Sequence, residues 1–240
     1  MSEPSLTLDP WLTSQLGKPS FHLTGDIGGC SLQGSPIADK LATQPLFADM
    51  KVPVADVAAA DVAQRTGFSL IDTNLQFAMP LSDVPEIEMP GLMFASPDMA
   101  DAVGDIAATS FTEDRFHRDP AIPNPVADAL KRSWAKNFFA GKRGDWMVVA
   151  CVGGRPAGFL QLLRLPSGGL LIDLIGVSAG ERGRGFARAM IAFARRNCGC
   201  SGEVVVGTAI ANARSIRLYE KMGFRLRAAQ YVFHHHGAAC

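Results

Sequence analysis

No sign of charge dominates this chain: Lys plus Arg and Asp plus Glu number 23 each, and the formal net charge at pH 7 is zero. Without a global field nothing draws the protein to a nucleic-acid backbone or an anionic membrane surface, so any anionic ligand must be met by local basic groups. Cysteine is scarce, five in 240 residues, odd in number and irregularly spaced. That excludes a secreted disulfide framework and favours reduced thiols in a cytoplasmic setting. No apolar run approaches the ~18 residues of a membrane span, and the opening stretch MSEPSLTLDPWLTSQLGKPS has no basic head leading into an apolar core. A cytoplasmic protein with neither nucleic acid nor membrane as partner is expected. Cys198-Gly199-Cys200 lacks the ligand spacing of a zinc site, and His234-His235-His236 falls inside the last strand pattern, so no metal is expected either.

The length allows one large domain or two small ones, each able to bury a core. An offset of 156 positions sets Gly67-Phe68 on Gly223-Phe224 and Phe77 on Phe233. In both copies a helix (54–66 and 210–222) ends at a glycine suited to the left-handed conformation, and the phenylalanine after it starts a strand rich in β-branched and aromatic residues. Self-similarity at one offset points to a duplicated unit. The same offset sets Asp26 to Ser31 against Arg182 to Ala187, and Ala63 against Tyr219, so the upstream copy keeps the Gly-Phe frame without the chemical groups. Four prolines at 80–97 argue for a linker or an extended crossover. The expected organisation is a partial, degenerate unit over 1–80, a crossover over 81–97 and the main unit over 91–240.

From residue 91 the patterns predict a strand at 91–95 and helices at 98–109 and 126–140, the second burying Val126, Leu130, Trp134 and Phe138. Two strands joined at Gly153-Gly154 by a type I′ turn follow, then a third strand, GLLIDLIGV. With the remaining helices and strands this makes an α+β domain on a mixed sheet.

The segment VSAGERGRGFA, 177–187, lies between that third strand and an amphipathic helix. Strand, Gly-rich turn and helix together aim backbone N–H groups at one point, at the positive end of the helix dipole. Gly183 and Gly185 permit close approach, and Arg182 and Arg184 can add charge-assisted bonds to phosphate. The spacing fits neither Gly-x-Gly-x-x-Gly nor the Walker pattern, but it does fit Arg-x-x-Gly-x-Ala.

With NARSIRLYEKMGF about 25 residues downstream, this segment resembles the two signature motifs of the GNAT superfamily of acyl-CoA-dependent N-acyltransferases. The resemblance covers roughly 91–236. It implies a GNAT fold, preceded here by the degenerate partial unit, with acetyl-CoA as acyl donor. It further implies that Arg182, Gly183, Arg184, Gly185, Phe186 and Ala187 hold the pyrophosphate, and that the backbone of Ile175, Gly176 and Val177 pairs with the pantetheine arm. Asn212 and Ser215 would contact the donor, and Tyr219, on the same face of the last helix, would protonate the departing thiolate. Gly176 is where a bulge could open the sheet.

No general base is obvious in the sequence. Strict alternation puts Asp173 on the sheet face of Ile175 and Val177, where it could take a proton from the acceptor directly or through water, or simply be a charge at a strand end. The resemblance further implies that Arg115, His117 and Arg118 in the loop EDRFHRDP, with Trp134 on the next helix, line the acceptor side; a solvated charged loop is the alternative. This loop, SWAKNFFAG and the truncated N-terminal unit are similar to the bacterial TDP-fucosamine acetyltransferase group, which implies a nucleotide-linked amino sugar as acceptor. A protein N-terminus, a polyamine, another small amine, or a non-catalytic acyl-CoA-binding role are the alternatives. The partner is a small-molecule amine, and a homodimer is compatible with everything above.

Overall fold

The computed structural model describes residues 2–28, 32 and 34–237; the offset partners Gly29, Cys30 and Ser31 lie outside these. The elements run β1 (Ser5–Leu8), α1 (Pro10–Leu16), β2 (Ser20–Thr24), α2 (Pro36–Thr43), β3 (Phe47–Pro53), α3 (Val57–Arg65), β4 (Ser69–Pro80) and β5 (Leu92–Phe94). They continue with α4 (Ala100–Ser110), α5 (Asn124–Phe139), β6 (Trp146–Val152), β7 (Arg155–Arg164), β8 (Leu170–Val177), α6 (Phe186–Asn197), β9 (Glu203–Ala209), α7 (Ala213–Met222) and β10 (Arg225–His236). All the strands form one mixed sheet in the order β1-β2-β3-β10-β4-β9-β8-β7-β6-β5. The α+β class and most of the downstream elements follow the sequence patterns; Gly153 and Gly154 both have positive φ, as a type I′ turn requires.

The two similar segments exchange strands across the middle of this sheet. β10 lies between β3 and β4, antiparallel to both, while β4 lies between β10 and β9. Their junctions are built alike. Gly67 has φ +86° and Gly223 φ +96°, and the amides of Phe68 and Phe224 bond back to the carbonyls of Ala63 and Tyr219, each at 3.0 Å. This six-to-one bond across a left-handed glycine closes a helix and aims the next residue into a strand. The proline-rich segment crosses α6 in extended form, with Ile87 accepting from Arg196 at 3.1 Å and Val84 buried.

One core joins α6 and α7 to the sheet and includes Phe77 and Met79 of β4; a second joins α4 and α5 to the other face. A third, under α2 and α3, includes Phe233 of β10. The strand exchange thus puts an aromatic of each segment into the core of the other. On α5 the fully buried positions are Ala127, Leu130, Lys131 and Ala135, with Val126, Trp134 and Phe138 half-buried at the flanks.

Candidate active site

The site is made where two strands stop pairing. Parallel β8 and β9 pair from Leu170 with Val204 to Ile172 with Val206 and no further, although β8 continues to Val177 and β9 to Ala209. Beyond that point both line a cavity of about 770 Å³. The backbone groups of β8 on this side have no strand to bond, so a ligand with amide groups can complete the ladder.

The irregularity that accompanies the opening sits at Asp173, three residues earlier than the glycine suggests. Gln161 of β7 pairs with Leu174 and Leu162 with Ile172, which leaves Asp173 as the extra residue of a bulge. The bulge reverses the alternation. Ile172, Ile175 and Val177 all pack toward α6, whereas Leu174 packs toward α4 and α5. Asp173 goes with Leu174: its carboxylate accepts from Trp134 Nε1 at 3.0 Å, Gln161 Nε2 at 3.0 Å, and Arg143 Nε and Nη2 at 2.8 and 2.6 Å. The expectation that Asp173 shares the face of Ile175 and Val177 is therefore corrected. With four donors on its two oxygens it is an anchor for Trp134 and Arg143. Gly176 serves close packing instead: a Cβ there would stand 2.8 Å from the Phe159 ring.

At one end of the cavity the turn 182–187 forms the expected anion cradle. Gly183 and Gly185 have φ of +79° and +88°, and α6 starts at Gly185 without any side-chain cap, so its first amides are open. Arg182, Gly183, Gly185, Phe186 and Ala187 line the cavity. Arg182 also donates from Nε to the Val177 carbonyl at 3.0 Å, so that carbonyl already has one partner. Arg184 is turned outward, half exposed, paired with Glu181 and absent from the cavity wall. Arg188 and Arg214, by contrast, do line the cavity.

Asn212 caps α7 by accepting from the Ser215 amide at 3.1 Å, and both residues face the cavity. Tyr219, 2% exposed, is held by Phe77 and Phe224 with ring centroids 5.9 and 5.4 Å away. It reaches the cavity, and its hydroxyl is bonded to no described residue. Burial raises its pKa well above the usual phenol range, which keeps the proton on oxygen.

The acceptor-side expectations divide. Arg115 and Trp134 line the cavity; His117 and Arg118 do not. Arg115 pairs with Asp49 of β3 and stacks on Phe116 at 4.4 Å, and Asp49 is held well below the usual carboxylate range because Arg115 and His22 outweigh its burial. His117 is turned inward, clamped between Asp114 at 2.6 Å and Asp128 at 3.0 Å. Burial opposes its charge, but the two carboxylates prevail and raise its pKa. The contribution of this clamp is fully present below the ordinary histidine pKa and fades as pH rises through the raised one. His117→Gln should therefore cost about 1–2 kcal/mol at pH 6, with the melting-temperature gap to the wild type narrowing toward pH 9; a gap that widens with pH would contradict the clamp.

Several cavity residues carried no signal in the sequence reading: Lys51, Asp72, Asn74, Gln76, Lys131 and Arg143. Asp72, Asn74 and Gln76 alternate along β4, and polar groups at every second position of a central strand are the available clue. Among the described residues no cysteine lines the cavity, and burial pushes the Cys198 thiol up to about 12. Asp119, His234 and His236 bring possible metal ligands within 4.8 Å of one another. Here they are hydrogen-bonded: Asp119 Oδ2 lies 2.7 Å from His234 Nδ1 and 2.8 Å from His236 Nε2, and Lys18 is 3.1 Å from His236 Nδ1, tying the α4–α5 loop to β10. Among the described residues no helix is long and apolar enough to cross a membrane.

The profile of the acetyltransferase (GNAT) family matches residues 105–224, half of the chain. The spore coat polysaccharide biosynthesis protein SpsD of Bacillus subtilis (strain 168) is 31% identical over 193 residues, covering 78% of this chain and 66% of SpsD. The dTDP-fucosamine acetyltransferase of Escherichia coli O6:H1 (strain CFT073) is 21% identical over 184 residues, covering 75% of this chain and 78% of that protein. A solved structure of a functionally unknown conserved protein from Staphylococcus epidermidis ATCC 12228 superposes with a TM-score of 0.69 over 99% of this chain and 92% of its own, at 13% identity. That last likeness concerns the fold.

Proposed function

Because the chain belongs to the acetyltransferase (GNAT) family, we propose that it transfers an acetyl group from acetyl-CoA to the primary amine of a nucleotide-linked amino sugar. The observation that carries this reading is the parting of β8 and β9 along one cavity that holds an open anion cradle at one end and a buried tyrosine on its wall. The cradle fits the donor's pyrophosphate, and the unpaired edge of β8 around Ile175 and Gly176 fits its amide-bearing arm. Tyr219 is the acid. The amine nitrogen attacks the thioester carbon, a C–N bond forms, and the tetrahedral oxyanion collapses with loss of the C–S bond. Tyr219 gives its proton to sulfur and regains one from the nitrogen through water. Lys51, Arg115 and Arg143 on the acceptor side offer local cations for a diphosphate in a chain with no net charge.

Residues 1–80 are taken as a partial GNAT-like unit and 91–240 as the catalytic one, a division supported by the matching helix caps and the strand exchange. Free-thiol release from acetyl-CoA, measured across amino sugars, nucleotide-linked amino sugars, polyamines and N-terminal peptides, tests the function. Turnover confined to nucleotide-linked amino sugars is expected. Preference for a peptide or polyamine would overturn the acceptor, and donor binding without turnover on any amine would overturn the enzyme.

A further inference from the structure

The reaction needs a neutral amine, yet an alkyl amine enters largely as ammonium at pH 7. Among the described residues five carboxylates line the cavity: Asp72, Glu113, Asp114, Asp173 and Glu181. Four are committed or out in solvent. Asp173 accepts four hydrogen bonds, Asp114 serves His117, Lys131 and the Phe116 amide, Glu181 pairs with Arg184, and Glu113 is exposed. Asp72 alone is buried, 7% exposed, with a carboxylate oxygen that has no hydrogen-bond partner.

Asp72 stands on β4, directly across from Val232 of β10, which in turn faces Lys51 of β3. Antiparallel partners share a face, so Lys51 and Asp72 flank Val232 on the cavity floor, two strand spacings or about 10 Å apart. Asn74 and Gln76 continue the stripe from Asp72 toward β9, the strand that parts from β8. The α4–α5 loop brings Arg118 Nε to 3.9 Å from Asp72 Oδ1, outside hydrogen-bond reach, with Asp114 also facing it. A buried carboxylate oxygen that has no hydrogen-bond donor, its nearest cation 3.9 Å away, is costly and calls for a proton-donating partner that arrives with the substrate.

We propose that Asp72, supplied by the N-terminal segment, is the base that takes the proton from the acceptor's ammonium, directly or through one water. The step moves one proton from nitrogen to the carboxylate and on to solvent, and it leaves the nitrogen lone pair free to attack. Burial raises the Asp72 pKa, while Arg118 and the amides of Thr73 and Ile210 oppose the shift and Asp114 adds to it. This assignment rests on the acetyl-transfer reading and gives the N-terminal segment a chemical task.

The test is a pH profile of amine kcat/KM for the wild type and Asp72→Asn, with CoA affinity and melting temperature measured alongside. We expect Asp72→Asn to lose about a hundredfold at pH 7 and to recover to within about tenfold near pH 9.5, where solvent deprotonates the amine, with CoA affinity unchanged. Should the Asn variant lose its fold, Asp72→Ala with added formate is the second arm, and saturable recovery of rate is the expected result. Wild-type turnover with an unchanged profile in Asp72→Asn, a rise in amine KM alone, or no response to formate would overturn the proposal. A wild type that releases no thiol with any amine would overturn the acetyl-transfer reading and the proposal together.

Discussion

Tyr219→Phe is expected to lower kcat by about 10²–10³-fold while leaving KM for acetyl-CoA and the melting temperature close to the wild-type values. The separation is possible because the ring and the hydroxyl have different tasks. The ring fills the core between Phe77 and Phe224, and Phe keeps that volume. The hydroxyl makes no bond to a described residue, so its removal orphans no partner. What the variant loses is the proton for the departing thiolate, a group that burial keeps protonated throughout the working pH range. A kcat near the wild-type value would remove Tyr219 from the chemistry, and a large loss of stability would recast it as a core residue.

The second large effect is expected at the cradle. Gly185 has φ +88° at the uncapped start of α6. A Val there costs about 1–2 kcal/mol in the left-handed backbone, which drives the turn out of the conformation that presents the amides, and its side chain crowds them as well. Gly185→Val should therefore weaken CoA binding at least about tenfold, read by calorimetry, while kcat at saturating donor changes much less. Unchanged affinity would mean that the pyrophosphate lies elsewhere. Arg184→Ala is the contrast: its side chain is exposed and paired with Glu181, so a small change in affinity is expected from it.

Much of this architecture was legible because local chemistry decides it. Left-handed glycines after α3 and α7, the open helix start at Gly185 and the turn at Gly153-Gly154 each follow from residues adjacent in sequence. The face that Asp173 occupies was not legible, since a single bulged residue on β8 reverses the alternation from which that face was read. His117 looked like a ligand group and is a clamp: Asp114 is near it in sequence, but Asp128 on α5 becomes its second partner only when the loop folds back. Asp72 was hidden for the same reason on a larger scale. Its chemistry depends on β4 crossing into the middle of the sheet beside β9 and β10, a pairing that joins residues more than a hundred positions apart.

The most direct test of the account is a crystal structure with acetyl-CoA bound. The pyrophosphate should sit on the amides of 183–187, the pantetheine arm should pair with the β8 edge at Ile175 and Gly176, and the thioester sulfur should lie within hydrogen-bond reach of the Tyr219 hydroxyl. A donor bound away from the gap between β8 and β9, or with its sulfur remote from Tyr219, would contradict it.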